Sequence, residues 1–202
     1  MLDLSLRKVK DAWLQPLVVR CQNVSPIMIS LTAFMAGLAS AWLAWNTCYY
    51  AAVPVWLLSR MLDGLDGAVA RYQGKNSDFG GYLDILLDYI VYIAVPLGIA
   101  LSMPDDLPFI FATALFAIYY VNTGSWMFLS AVLEKRASGA TKNREQTSIT
   151  MPASIIGGSE TIITYTLMLL LPQWFLGISA LFGILIILSI MHRFSWAMRQ
   201  LN

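Results

Sequence analysis

GGYLDILLDYIVYIAVPLGIAL, residues Gly80–Leu101, decides the fold. A helix of this length crosses the ~30 Å hydrocarbon core of a bilayer, and its only charges are Asp84 and Asp88. Working outward, five further stretches read the same way: Ile27–Trp45, Cys48–Leu62, Leu107–Leu133, Met151–Leu171 and Trp174–Met191. The second is short, with room for its helix to continue through Arg71. The expectation is an all-α integral membrane protein forming one domain over residues 1–202, with six transmembrane helices near 27–45, 48–62, 80–101, 107–133, 151–171 and 174–191.

Composition agrees. Of 202 residues, 58% are hydrophobic and only 12% charged, about half the ~25% of a soluble domain. Soluble and disordered classes are excluded, and a net charge of +1 gives no case for nucleic acid. Cys21 and Cys48 are too few for a disulfide framework. The 13 Lys and Arg residues avoid the connectors Asn46–Thr47, Ser102–Asp106 and Pro172–Gln173. By the positive-inside rule both termini are therefore cytoplasmic, with the inner membrane of a bacterium or archaeon as the default location. Within residues 1–20, Leu6, Val9 and Trp13 share a face among charged neighbours, the pattern of an amphipathic helix lying at the interface. Trp42, Trp45 and Trp174 sit near span ends, as an aromatic belt requires.

Ionisable groups at membrane depth are costly and mark function. In Asp63-Gly64-Leu65-Asp66-Gly67-Ala68-Val69-Ala70-Arg71, the helical period puts Asp63, Asp66, Gly67 and Ala70 on one stripe. Gly80, Asp84 and Asp88 form a second row in the next helix. Four carboxylates cannot share a low-dielectric site without cations, and only Arg60 and Arg71 are near in sequence. All-oxygen ligation selects hard divalent ions, Mg²⁺ or Mn²⁺, and the reach of these side chains allows two of them.

Asp63-x-x-Asp66-Gly67-x-x-Ala70-Arg71, eight residues, Gly80-x-x-x-Asp84-x-x-x-Asp88 resembles the CDP-alcohol phosphotransferase signature at every fixed position. Ser25-Pro26 followed by Thr32 is similar to that family's entry into the membrane. The resemblance implies transfer of a substituted phosphate from a CDP-linked donor, such as CDP-diacylglycerol, to a hydroxyl acceptor of unknown identity, with release of CMP. It implies that Asp63, Asp66, Asp84 and Asp88 hold the metals and that Asp88 is also the general base. Asp63, Asp66, Gly67, Ala70, Arg71 and Gly80 would bind CDP, and a homodimer is implied.

Glu160, counted about nine residues into the fifth span, is assigned either to an acceptor or lipid cavity or to a structural helix contact. Lys135, Arg136, Lys142, Arg144 and Arg193 are candidates for capturing a phosphorylated acceptor; membrane topology alone also explains them. His192 reads as interfacial. Ala33-x-x-x-Gly37-x-x-x-Ala41 is a small-residue stripe suited to packing within or between chains. Two other functions use similar residues, a Mg²⁺-dependent membrane prenyltransferase and a divalent-cation carrier. The short spacing of the two Asp pairs argues against the first, and their position at helix ends against the second.

Overall fold

In a computed structural model that describes residues 15–136 and 156–201, regular structure is helical, with no strand among the described residues. The helices are α1 (Pro26–Trp45), α2 (Tyr49–Tyr72), α3 (Asp78–Leu101), α4 (Asp106–Lys135), α5 (Gly158–Leu170) and α6 (Phe175–Leu201), with a short 3₁₀ turn at Pro172–Trp174 before the last. Residues 15–20 are also helical. The described residues form two compact units. Residues 15–104 and Tyr165–Pro172 make the first; residues 105–136, 156–164 and 173–201 make the second.

Among the described residues, four helical segments are long and apolar enough to cross a membrane: Pro26–Trp45, Asp78–Leu101, Asp106–Lys135 and Pro172–Leu201. Six were expected. The second expected span is part of α2, which is long enough at 24 residues but carries Arg60, Asp63, Asp66 and Arg71. The fifth begins in residues that lie outside those described, and its described part is the 13-residue α5. The amphipathic face of Leu6, Val9 and Trp13 lies outside the described residues too, as do Lys142 and Arg144.

In the first unit, Ser25 precedes α1 in extended conformation and Pro26 opens the helix, where its missing N–H costs nothing. Asn46 and Thr47 turn the chain directly into α2, Thr47 at φ 61. Hydroxyls join the resulting hairpin: Ser40 donates to the Ala52 carbonyl at 2.9 Å and Ser59 to that of Ala33 at 2.7 Å. The small-residue stripe is spent inside the chain. Ala33 meets α2 through that bond. A Cβ on Gly37 would come within 2.7 Å of Val91 in α3, and one on Gly98 would run into the carbonyl oxygen of Ala41. So α1 packs closely on both α2 and α3, whereas α2 and α3 approach each other mainly through side chains. Their backbones stay apart where the carboxylates project.

The far end of α2 is closed by Gly74 at φ +64, with the Lys75 N–H on the Ala70 carbonyl at 2.9 Å, a left-handed termination that glycine makes without steric cost. Gln73 ties this end to the chain before α1 through the carbonyls of Gln22 and Val24, both at 2.8 Å. Nothing lies within 4 Å of a Cβ at Gly74, so Gly74→Ala carries backbone strain only. It is expected to lower stability by about 1 kcal/mol, measured by thermal melting in detergent. Val18 packs with Ile29, Leu65 and Val69 behind this region.

In the second unit α4 packs on α6. Tyr119 meets Phe182 edge-on with ring centroids 6.0 Å apart. Helix α6 runs without a break through His192 and Arg193, which were expected beyond the end of the last span.

Candidate active site

Three carboxylates come together between α2 and α3. Asp63 lies close enough to both Asp88 and Asp84 to feel their charges. Asp63 and Asp88 keep about a quarter of their side-chain surface exposed. The fourth, Asp66, is buried at 4% exposure and turned toward α1: its carboxylate accepts from the Ser30 hydroxyl and from the Gly67 N–H. The expected row of four is thus three facing carboxylates with one anchored behind them.

Between them stands Arg60, one turn before Asp63. Its guanidinium donates to Asp88 at 2.6 Å and lies 3.8 Å from Asp63. Sequence reading noted Arg60 only as a neighbouring charge. An arginine inside an otherwise apolar run was the available signal, but its partner sits 28 residues away on another helix and had no local mark. Ser30 carried no signal at all.

Local structure positions the small residues beside this cluster. Gly67 follows Asp66 directly, and a Cβ there would stand 3.4 Å from the Arg71 guanidinium. Arg71 therefore lies back over Gly67. Gly80 lies in the first turn of α3: its N–H donates to the side chain of the cap residue Ser77 at 3.1 Å, fixing the helix end from which Asp84 and Asp88 project.

Among the described residues, no three or more His, Cys, Asp or Glu side chains close on one point as a formed metal site would. The donor chemistry nevertheless fits a hard divalent cation. The ligands are all oxygen, Asp63 feels the charges of both Asp88 and Asp84, and Arg60 alone cannot neutralise them.

The acceptor candidates fall in the second unit. Glu160 is in the first turn of α5, not deep in a span. Its carboxylate accepts from the Gly157 N–H at 2.9 Å and the Ser159 hydroxyl at 3.0 Å, so it caps the helix start, where a negative charge is favourable. The count from Met151 had placed it too far along because α5 starts at Gly158. Arg193, expected as an exposed cytoplasmic cation, is buried at 2%. It donates to the Asn122 side-chain oxygen at 3.1 Å, the Asn122 carbonyl at 3.3 Å and Ser125 at 3.3 Å. It borders a cavity of about 410 Å³ that Gly124, Ser125, Phe128 and Phe194 also line. Lys135 and Arg136 are exposed at the end of α4, and Arg136 donates to the Leu201 carbonyl at 3.0 Å.

Comparison with known proteins agrees with the signature. The family profile described as CDP-alcohol phosphatidyltransferase matches residues 23–195. The chain is 35% identical over 179 residues to the inner membrane protein YnjF of Escherichia coli strain K12, covering 85% of each. It is 29% identical over 102 residues to the archaetidylinositol phosphate synthase of Pyrococcus horikoshii, covering 48% of this chain and 54% of that protein. Over 66 residues it is 38% identical to the chloroplastic CDP-diacylglycerol–glycerol-3-phosphate 3-phosphatidyltransferase 1 of rice, covering 33% of this chain and 20% of that protein.

Proposed function

The chain belongs to the CDP-alcohol phosphatidyltransferase family and is a CDP-alcohol phosphotransferase; from that premise we propose that it moves a phosphatidyl group from CDP-diacylglycerol, or a closely related CDP-linked lipid, to an acceptor hydroxyl in phospholipid synthesis. The hydroxyl oxygen forms a bond to the lipid-bearing phosphorus, the bond from that phosphorus to the bridging oxygen breaks, and CMP leaves with the electron pair. This reading sets aside the prenyltransferase and the carrier.

The observation that carries it is the meeting of Asp63, Asp84 and Asp88 on two helices that α1 holds apart. Asp63, Asp66, Asp84 and Asp88 would hold two divalent cations, Mg²⁺ or Mn²⁺, which supply the positive charge that the donor's pyrophosphate needs. Asp88 takes the proton of the acceptor hydroxyl. Arg71, lying over Gly67, offers the fork of donors that suits a phosphate. Gly67, Ala70 and Gly80 leave room for the nucleotide beside the backbone. Ser30 holds Asp66 from behind.

We further propose the six-span topology with both termini cytoplasmic and a homodimeric assembly. A site at the helix ends then faces water for CDP and the acceptor, and lipid for the acyl chains. Relatives named for inositol phosphate and glycerol 3-phosphate chemistry make phosphorylated polyols the first acceptors to try. The test is CMP release by purified protein with CDP-diacylglycerol, Mg²⁺ and a panel of acceptors. Release should depend on one acceptor, stop in chelator and return with Mg²⁺ or Mn²⁺. Full turnover in a metal-free preparation would sink the metal assignment, and no CMP with any acceptor would sink the donor.

A further inference from the structure

Neither the motif nor the reaction above gives Arg60 a task, yet the first unit is built around it. It is 5% exposed. On one side it meets Asp88 at 2.6 Å and Asp63 at 3.8 Å. On the other it is caged. Its second terminal nitrogen donates to Ser59 at 3.0 Å, and its guanidinium carbon lies 4.9 Å from the centre of the Trp56 ring and 5.3 Å from that of Tyr92.

The cage is itself pinned. Trp56 donates through its indole N–H to Thr166 at 3.2 Å, and the Tyr165 hydroxyl donates to the Tyr92 carbonyl at 2.8 Å. Tyr165 also packs on both rings, at 5.6 Å from Trp56 and 5.8 Å from Tyr92. Two aromatic faces and a hydroxyl make a seat for a planar cation that a surface ion pair would not need. The seat holds the charge still while its donors point at Asp88.

A fixed positive charge there has two consequences. It offsets part of the repulsion among Asp63, Asp84 and Asp88, which keeps the unloaded cluster tolerable. It also occupies an Asp88 oxygen and repels any second cation that approaches it.

We propose that Arg60 is an internal counter-cation, a positioning residue that holds Asp88 in the unloaded site and competes with the divalent cation for it. The proposal rests on the reading of these carboxylates as the metal-holding set and goes beyond it. It says that the cation affinity of the site is held low by a side chain of the protein.

The sign of the effect tests it. A residue with a merely structural role would weaken metal binding when lost; a competing cation would strengthen it. Mn²⁺ binding is followed by the electron paramagnetic resonance signal of the free ion, using full-length protein in detergent prepared as wild type, R60Q and R60K. R60Q should bind Mn²⁺ about tenfold or more tighter than wild type. It should melt below wild type without metal and regain wild-type melting at saturating Mn²⁺. R60K, which keeps the charge, should bind within about threefold of wild type. R60Q is prepared with Mn²⁺ in every buffer and then stripped.

R60Q affinity equal to or weaker than wild type overturns the inference, as does a loss of stability that Mn²⁺ does not repair. An affinity gain in R60K as large as in R60Q also overturns it, because charge would then not be the cause. If neither wild type nor R60Q binds Mn²⁺, the metal-holding reading fails and takes this inference with it. If wild type binds and R60Q binds no tighter, only the role of Arg60 falls.

Discussion

Asp63→Asn is expected to lower CMP release by about 10²–10³-fold while leaving the protein as stable as wild type, or more so. Asp63 feels the charges of both Asp88 and Asp84, so two neighbouring carboxylates oppose its own in the unloaded cluster. Asparagine keeps its size and removes that repulsion. The same change takes an anionic oxygen from the set that would hold the cations, and catalysis loses what stability gains. Paired measurements of turnover and melting temperature in one preparation check both halves. Near-native turnover would place Asp63 outside the chemistry. Lost turnover with a collapsed melting temperature would make it a structural residue.

Asp66→Asn should behave differently, because Asp66 is anchored to Ser30 and the Gly67 N–H. The motif gave both aspartates one role. Their separation into a facing and an anchored carboxylate comes from the register of α1 against α2, which no periodicity within α2 encodes. The same reason hid Arg60. Its charge was visible in sequence, but the seat made by Trp56, Tyr92 and Tyr165 joins three helices.

Where the sequence was legible, strong local signals stood behind it. Apolar runs bounded by Ser25-Pro26, by the capping Ser77 and by Asp105–Asp106 located α1, α3 and α4 to within two residues at each end. Hydropathy marks where a bilayer ends, however, and a helix does not have to stop there. Hence α6 runs on from the expected Met191 to Leu201, as α2 does from Leu62 to Tyr72, one residue past the continuation through Arg71 that its sequence allowed. Arg193, read as a surface cation because it follows the last apolar run, is buried for that reason.

Gly98→Val is expected to be the most damaging substitution away from the carboxylates. A Cβ at position 98 would collide with the Ala41 carbonyl oxygen, a backbone atom that no rotamer change can move aside. Alanine should therefore cost about 1–3 kcal/mol, and valine enough to remove most folded protein from the membrane. Gly177→Ala supplies the control. Nothing lies within 4 Å of its Cβ, and in the first turn of α6 alanine should be neutral or stabilising by up to about 1 kcal/mol. Thermal melting of the three variants in one detergent decides the matter. Equal behaviour of Gly98→Ala and Gly177→Ala would mean that α1 and α3 have slack between them.

The two-residue turn at Asn46–Thr47 has a consequence for how the protein reaches its membrane. Alone, α2 is a weaker candidate for insertion than α1, since it carries four charged residues and charge inside a span is costly, up to about 2.5–3.5 kcal/mol each at its centre. Helix α1 has none and meets the requirement by itself. With so short a turn, α2 emerges from the ribosome beside a helix that already offers a hydroxyl to Asp66 and a close-packed face to Ser59. In the six-span topology the pair enters the bilayer as one hairpin, α1 acting as escort. Lengthening the turn by a flexible loop would then harm biogenesis first: the amount of inserted protein would fall, while each molecule that did insert would turn over at the native rate.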